Sequence, residues 1–193
     1  MVTTEQIKKL RDKTGISIMQ CKKALEEAAG DLEKAVIILS KQSGKIAEKK
    51  SSRTLGAGIV QAYIHAGGST GALVELLCET DFVAKNEEFK NLAYDLAMQV
   101  VATDPEFLKK EELKNEDKEK AREVFAKEIA DKPNDLKDKI LAGKLDAYFK
   151  EKILLEQAFV KDQNRTVGSL IESATQKFGE RIEIGRFVRF SID

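Results

Sequence analysis

The 193-residue sequence contains no Trp, one His and only two Cys. A zinc site built from Cys and His needs about four ligands, so this composition excludes a Cys/His zinc site of the usual kind. Two Cys do not make a disulfide framework, which indicates a reducing compartment. No stretch approaches the ~18 consecutive apolar residues of a membrane span, and the N-terminal residues lack the apolar core of a secretory signal. We therefore expect a cytoplasmic protein with no metal and no cofactor.

Charge of one sign is not in excess either, because 33 Lys and Arg balance 33 Asp and Glu. This neutrality argues against a protein that binds nucleic acid or an anionic membrane through one basic field. The charges are nevertheless unevenly divided. Residues 1–50 hold 11 basic and 7 acidic side chains, whereas residues 51–193 hold 22 and 26. This difference predicts a change of module near residue 50.

Residues 1–44 show the pattern of three short helices. Thr3 and Ser17 each precede a Gln by three residues, the spacing of a capping box, and Asp31 can cap a third helix. Apolar residues follow each cap at helical spacing. Helices of about ten residues are unstable alone, so we expect them to pack as a three-helix bundle. The polar, basic stretch 45–55 has little to bury and is predicted to be a linker.

Residues 56–193 predict an α+β core domain. Runs rich in β-forming residues at 59–65 and 72–78 flank a glycine-rich connection, as in a β-hairpin. A third strand is expected at 182–192, and helices are expected between the second and third strands. The predicted fold class is therefore α+β, with an N-terminal three-helix bundle followed by a three-stranded antiparallel sheet with packed helices.

The last predicted strand alternates between apolar and polar residues. Alternation places every second side chain on the same face of a strand. A sheet of only three strands also leaves a face or an edge exposed, and such a surface favours a partner. The apolar residues expected to share one face are Ile182, Ile184, Val188, Phe190 and Ile192.

No residue pattern marks an enzyme active site. His65 lies in a predicted strand, where a lone His is usually a surface or packing residue. Cys21 and Cys78 fall on the apolar sides of predicted elements, where free Cys is usually a small buried apolar residue. An enzyme that uses one of these thiols stays open as an alternative. A noncatalytic adaptor that binds RNA or the ribosome through the basic stretch 41–53 is another, although a solvated linker is the simpler interpretation of that stretch and the overall neutrality gives the adaptor no support.

The segment that joins the second strand to the following helix is Cys78-Glu79-Thr80-Asp81-Phe82-Val83-Ala84-Lys85. In a purely structural interpretation, Thr80 or Asp81 caps the helix while Phe82 and Val83 pack into the core. A functional interpretation follows from a family resemblance.

Two segments resemble the signature motifs of bacterial elongation factor Ts. The first is Leu10-Arg11-Asp12-Lys13-Thr14-Gly15-Ile16-Ser17-Ile18-Met19-Gln20-Cys21-Lys22-Lys23-Ala24-Leu25, and the second is Glu75-Leu76-Leu77-Cys78-Glu79-Thr80-Asp81-Phe82-Val83-Ala84-Lys85. The similarity extends through the C-terminal segments 159–168 and 185–190 and is weakest at 105–150. Leu77 stands where the family usually has Asn. The chain resembles the short form of the family, with a single core half.

The resemblance implies a guanine-nucleotide exchange factor for elongation factor Tu, which performs no covalent chemistry. It implies that the chain binds Tu–GDP and that Thr80, Asp81, Phe82 and Val83 disturb the Mg²⁺ and phosphate site of Tu, so that GDP leaves. Since long members contain two core halves, we expect a homodimer that forms a 2:2 complex, with no direct contact to nucleic acid or membrane.

The resemblance also implies that the N-terminal bundle, similar to a ubiquitin-associated domain, contacts the nucleotide-binding domain of Tu. The residues that it assigns to this contact are Leu10, Arg11, Thr14, Gly15, Ser17, Met19, Lys22 and Lys23.

Overall fold

The computed structural model describes residues 2–129 and 134–192. The first and last residues of the predicted domains, Met1 and Asp193, lie outside these ranges. Its N-terminal helices, three-stranded antiparallel sheet and packed helices confirm the predicted α+β class. The α-helices are α1 (Thr4–Thr14), α2 (Ile18–Glu27), α3 (Leu32–Lys50), α4 (Asp81–Ala84), α5 (Glu87–Thr103), α6 (Asn115–Glu128), α7 (Asn134–Lys152) and α8 (Val167–Phe178). The strands are β1 (Ala57–Ile64), β2 (Thr70–Cys78), β3 (Ala158–Phe159), β4 (Asp162–Thr166) and β5 (Glu183–Ser191).

The predicted N-caps of the three N-terminal helices are all present. The Thr3 hydroxyl accepts from the Gln6 amide at 3.2 Å while the Gln6 side-chain oxygen accepts from the Thr3 amide at 2.9 Å, which completes a capping box. Ser17 caps α2, and one Asp31 carboxylate oxygen accepts from the backbone amide of Glu33 at 2.9 Å. The three helices share one apolar cluster, formed by Leu10, Ile16, Cys21, Ala24, Leu25, Ala28, Ala35 and Leu39.

Helix α3 continues through Lys50, so the predicted linker at 45–55 is wrong for its first six residues. Ser43 is buried, and Ile46, Ala47 and Lys50 are half-buried, which gives this polar stretch one covered helical face. The Lys50 ammonium also donates to the Gly179 carbonyl oxygen at 2.7 Å. Burial of one face and this contact explain why a mostly polar stretch remains helical.

The three-stranded sheet has the order β1-β2-β5. Its strand ends differ from the predicted ranges 59–65, 72–78 and 182–192 by two residues at most. Strands β3 and β4 pair antiparallel as a separate two-stranded sheet. The buried Gln99 side chain of α5 donates to the Ala158 carbonyl at 3.1 Å and accepts from the Val160 amide at 2.8 Å, which ties α5 to this small sheet.

The alternation in β5 changes phase, so the prediction that its five apolar residues share one face is wrong. Ile182 and Ile184 are buried, but Gly185 and Arg186 are both exposed. Beyond them the odd-numbered residues Phe187 and Arg189 are half-buried and the even-numbered residues are exposed, which is the opposite phase. The remaining apolar residues, Val188, Phe190 and Ile192, are accordingly exposed.

The chain divides into two compact units. The first comprises residues 1–61, 75–93 and 169–185, and the second comprises 62–74, 94–168 and 186–193. This division differs from the predicted boundary at 45–55, because segments far apart in the sequence share each unit. Among the helices in the described ranges, none has the length and apolar character that crossing a membrane requires.

Gly15 is expected to be more sensitive to substitution than a glycine inside a helix. Its φ of +69° lies in the left-handed region, so Gly15→Ala should destabilise the protein by about 1–2 kcal/mol. Gly143, inside α7, has no neighbouring atom within reach of an added Cβ. Gly143→Ala should therefore stabilise by about 0.5–1 kcal/mol. Urea denaturation followed by circular dichroism measures both effects, and destabilisation of equal size in the two variants would contradict this account.

Candidate functional site

The candidate segment forms a tight turn at residues 79–85, here called the 79–85 turn. Thr80 caps α4, its hydroxyl accepting from the Val83 amide at 3.5 Å, as the structural interpretation predicted. Val83 is buried, whereas 81% of Phe82 is exposed. The expectation that both side chains pack into the core is therefore right for Val83 and wrong for Phe82.

Helical geometry explains why Phe82 is exposed while the adjacent Val83 is buried. Successive side chains on an α-helix point about 100° apart, because the helix has about 3.6 residues per turn. Once Val83 and Ala84 are directed into the protein, Phe82 is directed away from it. The turn thus carries an apolar ring into solvent on a backbone that is fixed by its buried neighbours.

A carboxylate from a distant part of the chain holds the start of this turn. One Glu180 oxygen accepts from the backbone amides of Glu79 at 3.1 Å and Thr80 at 3.0 Å. The other oxygen accepts from the Thr80 hydroxyl at 2.6 Å. Since the hydroxyl donates its proton to Glu180, its lone pairs remain available to the Val83 amide. Glu180 therefore fixes both the backbone and the capping side chain of the turn.

The contact is reciprocal, because Glu79 in turn holds the backbone next to Glu180. A Glu79 oxygen accepts from the Arg181 amide at 2.6 Å, and both Glu79 oxygens lie 3.2 Å from the Arg53 guanidinium. The Arg181 amide and then the Arg53 guanidinium hold the pKa of Glu79 below its usual value. Arg181 also donates to the Arg53 carbonyl. We call Glu79, Glu180 and these bonded groups the carboxylate clamp.

Asp81 forms an exposed ion pair on the same turn. Its carboxylate lies 2.6 Å from the Lys85 ammonium, one helical turn further on. The hydrogen bond from Lys85 holds the pKa of Asp81 below its usual value. Exposed ion pairs of this kind contribute little to stability because water screens them, so a partner can take over the Asp81 carboxylate at small cost.

The N-terminal candidates divide into exposed residues and residues that serve the bundle itself. Leu10 has no exposed surface, so its assignment as a contact residue is corrected to core residue. Thr14 is half-buried and donates to the Leu10 carbonyl at 2.8 Å. Met19 is 77% exposed, and its neighbour Ile18, an apolar residue that directly follows the Ser17 cap, is exposed too. The other exposed candidates are Arg11, Gly15, Ser17, Lys22 and Lys23.

The bundle and the 79–85 turn are both attached to α8. The Gln176 side-chain nitrogen donates to the Gln20 side-chain oxygen of α2 at 2.7 Å. Gly179, which ends α8 with a φ of +72°, accepts from Lys50 of α3 and directs the chain toward Glu180. One helix therefore places the bundle and the clamp in a fixed relation within the first unit.

The residues behind the enzyme alternative are poorly placed for nucleophilic chemistry. Cys21 and Cys78 are buried, and burial raises the pKa of both thiols, which disfavours the reactive thiolate. Cys78 donates to the Thr80 carbonyl at 3.2 Å. His65 is exposed and lies 3.1 Å from the Tyr63 hydroxyl. Within residues 2–129 and 134–192, no group of three or more His, Cys, Asp or Glu side chains is arranged to hold a metal ion.

The basic stretch behind the adaptor alternative is partly engaged in internal contacts. Lys50 donates to Gly179 and Arg53 bonds to Glu79. Residues 41–50 are helical. The stretch is therefore part of the fold of the first unit rather than a free basic tail.

The fold and the site define an α+β protein that presents an exposed aromatic side chain on a clamped turn, the arrangement of a partner-binding protein. A family model described as elongation factor TS matches residues 5–193. Elongation factor Ts of Thermotoga petrophila is 47% identical over 99% of this chain and 96% of its own length. That of Carboxydothermus hydrogenoformans is 46% identical over 100% of this chain and 89% of its own. The chain belongs to the elongation factor Ts family, whose members are translation elongation factors.

The clamp gives stability a definite pH dependence. The pKa of Glu79 is lowered in the folded state, so its contribution is full above the unfolded-state pKa of about 4.3 and is lost as pH falls through the lower folded value. Wild type should therefore be more stable than Glu79→Gln at pH 7, and the difference should shrink below about pH 4. Urea denaturation of both proteins between about pH 3 and pH 7 tests this. A difference that stayed constant with pH would contradict the assigned role.

Proposed function

We propose that the protein is a guanine-nucleotide exchange factor for elongation factor Tu. It binds Tu–GDP, and the 79–85 turn displaces groups that hold Mg²⁺ and phosphate, so that GDP is released without any covalent step. The observation that supports this most directly is Phe82, an exposed ring on a turn whose backbone is clamped. Because Tu works in translation, the proposal places the protein in the cytoplasm.

The four candidate residues of the turn have different parts in this proposal. Phe82 enters the partner and Asp81 exchanges its Lys85 pair for polar contacts there. Thr80 and Val83 act from within the turn, since Thr80 caps α4 and Val83 is buried. The turn thus inserts one apolar and one charged group from a supported base.

Phe82 alone does not provide enough energy for strong exchange. A 10⁴-fold loss of nucleotide affinity requires about 5.5 kcal/mol of differential binding. Burial of one Phe side chain contributes roughly 1.5–3 kcal/mol. The remaining binding energy has to come from other surfaces, and the exposed face of the bundle supplies it in this proposal. The residues proposed for that face are Arg11, Gly15, Ser17, Met19, Lys22 and Lys23, together with Ile18.

We further propose that the second unit pairs with a second copy of the chain through its exposed strand residues. Phe190 is 63% exposed, Ile64, Leu73 and Val188 are exposed on strands of the same sheet, and the exposed Ile192 follows β5 directly. A group of exposed apolar residues is the usual mark of a protein–protein interface. The resemblance to a family whose long members contain two core halves supports a second copy as the occupant, and hence a 2:2 complex with Tu.

Removal of the Phe82 ring should reduce exchange while leaving complex formation intact. Phe82→Ala removes about 1.5–3 kcal/mol of apolar contact, so the acceleration of GDP release should fall about 10- to 100-fold. Binding through the bundle should persist. Stopped-flow release of a fluorescent GDP from Tu measures the first effect, and a pull-down with nucleotide-free Tu measures the second.

Two further variants make this test specific. Asp81→Ala should give a smaller loss of the same kind, because the charge contributes less than the ring. Val124→Ala removes a similarly exposed apolar side chain from α6 in the second unit and should leave release unchanged. If Phe82→Ala released GDP as fast as wild type, Phe82 would have no part in the mechanism.

The proposed dimer is tested by changing its most exposed aromatic residue. Wild type should sediment at twice the 21.5 kDa of one chain at micromolar concentration. Phe190→Asp should sediment at 21.5 kDa, since a buried unpaired carboxylate opposes association. Val124→Asp, an equivalent change on α6, should remain a dimer. A wild-type species of 21.5 kDa would contradict the dimer but not the exchange activity.

A further inference from the structure

We propose that Glu180 is a positioning residue for nucleotide exchange, which holds the 79–85 turn in the geometry that lets Phe82 enter the partner. The inference rests on the proposed function and extends it to a residue that lies outside both motifs. Glu180 follows the end of α8 and is 100 positions away from Thr80 in the sequence. It does not itself contact the partner in this account, because it acts through Thr80.

The carboxylate is bonded to the turn through three donors. It accepts from the Glu79 and Thr80 amides and from the Thr80 hydroxyl, at 3.1, 3.0 and 2.6 Å. Hydrogen bonds to an ionised carboxylate are about twice as strong as those between neutral groups. A single amide or hydroxyl at position 180 could not satisfy all three donors, since only a carboxylate offers two oxygens that both accept.

The turn needs this support because its helix is too short to support itself. Helix α4 has four residues, whereas isolated helices shorter than about 12–15 residues are marginal in water. Without Glu180, the two amides that precede α4 lose their acceptor, and the Thr80 hydroxyl loses the bond that fixes it as a cap. Phe82 would then sample several directions, and its insertion would cost conformational entropy.

The base of Glu180 is itself rigid. Phe178 at the end of α8 packs edge-to-face on Phe89 of α5, with ring centroids 6.0 Å apart. The Lys177 ammonium pairs with Glu88 of α5 at 2.8 Å. The next residue, Arg181, donates its amide to Glu79. The carboxylate is thus held on both sides, so it can fix the turn rather than merely follow it.

The first test measures the contact itself. Amide hydrogen exchange of Glu79 and Thr80 should speed up at least about tenfold in Glu180→Ala, because both amides lose their acceptor. The Leu25 amide in the bundle should be unaffected. Glu180→Gln keeps one accepting oxygen and should give an intermediate result. Unchanged exchange at Glu79 and Thr80 would overturn the proposal, and so would equal acceleration at Leu25, which would indicate a general loss of stability.

The second test measures the consequence for GDP release from Tu. Glu180→Ala should lower the maximal acceleration about tenfold, equivalent to about 1.4 kcal/mol, while the half-saturating concentration changes less than about threefold because the bundle surface is intact. Glu172→Ala, which removes a carboxylate from the same helix, should match wild type. In the Phe82→Ala background, Glu180→Ala should cause a smaller loss than in wild type, since its main effect passes through Phe82 and only the weaker contribution of Asp81 remains to be lost.

The outcomes separate this inference from the proposed function. If wild type accelerates release and Glu180→Ala does so equally well, Glu180 is not a positioning residue, although the exchange function stands. Additive losses in the Phe82→Ala background would overturn the proposal in the same way. If wild type itself fails to accelerate release, the proposed function is wrong. The amide exchange of Glu79 and Thr80 then still decides whether Glu180 holds the turn.

Discussion

The placement of Phe82 depends on the reciprocal bonds between two carboxylates and two backbone segments. Glu180 accepts from the amides of Glu79 and Thr80, and Glu79 accepts from the amide of Arg181. A four-residue helix has no stability of its own, and an exposed ring adds no packing that would hold it. The backbone around Thr80 is therefore fixed from outside. Val83 below and the clamp beside it determine where Phe82 points.

Local features of this chain were visible in the sequence, and long-range ones were not. The caps at Thr3, Ser17 and Asp31 depend on residues two or three positions away, so their spacing alone predicts them. The clamp joins residues about 100 positions apart, and no local pattern marks Glu180 as a partner of Thr80. The direction of Phe82 was equally inaccessible, because two adjacent apolar residues on a very short helix fit either orientation.

Two of the wrong predictions concern segments that do carry a physical signal in the sequence. Gly185 interrupts β5, and a glycine inside a strand pattern often marks an irregularity that changes the alternation. The polar stretch after Leu39 keeps Ser43, Ile46 and Lys50 at helical spacing, although only Ile46 is apolar. Hydropathy alone predicts a linker for this stretch. Long-range hydrogen bonds, such as that from Lys50 to Gly179, supply the stabilisation that hydropathy does not register.

The first unit contains every element that the proposed exchange reaction needs. The bundle contacts α8 through Gln20 and Gln176, and α8 leads directly to the carboxylate that fixes Thr80. In this proposal, binding energy gained on the bundle surface strains the partner at Phe82 only if the bundle surface and Phe82 stay at a fixed separation while the partner is bound. Helix α8 provides that constraint, because both are attached to it. Binding linkage is reciprocal, so a factor that weakens GDP binding is itself bound more weakly by the GDP form. A rigid connection increases the weakening of GDP binding and the weakening of factor binding by GDP together. If the turn could move relative to the bundle, the factor could bind without disturbing the nucleotide site.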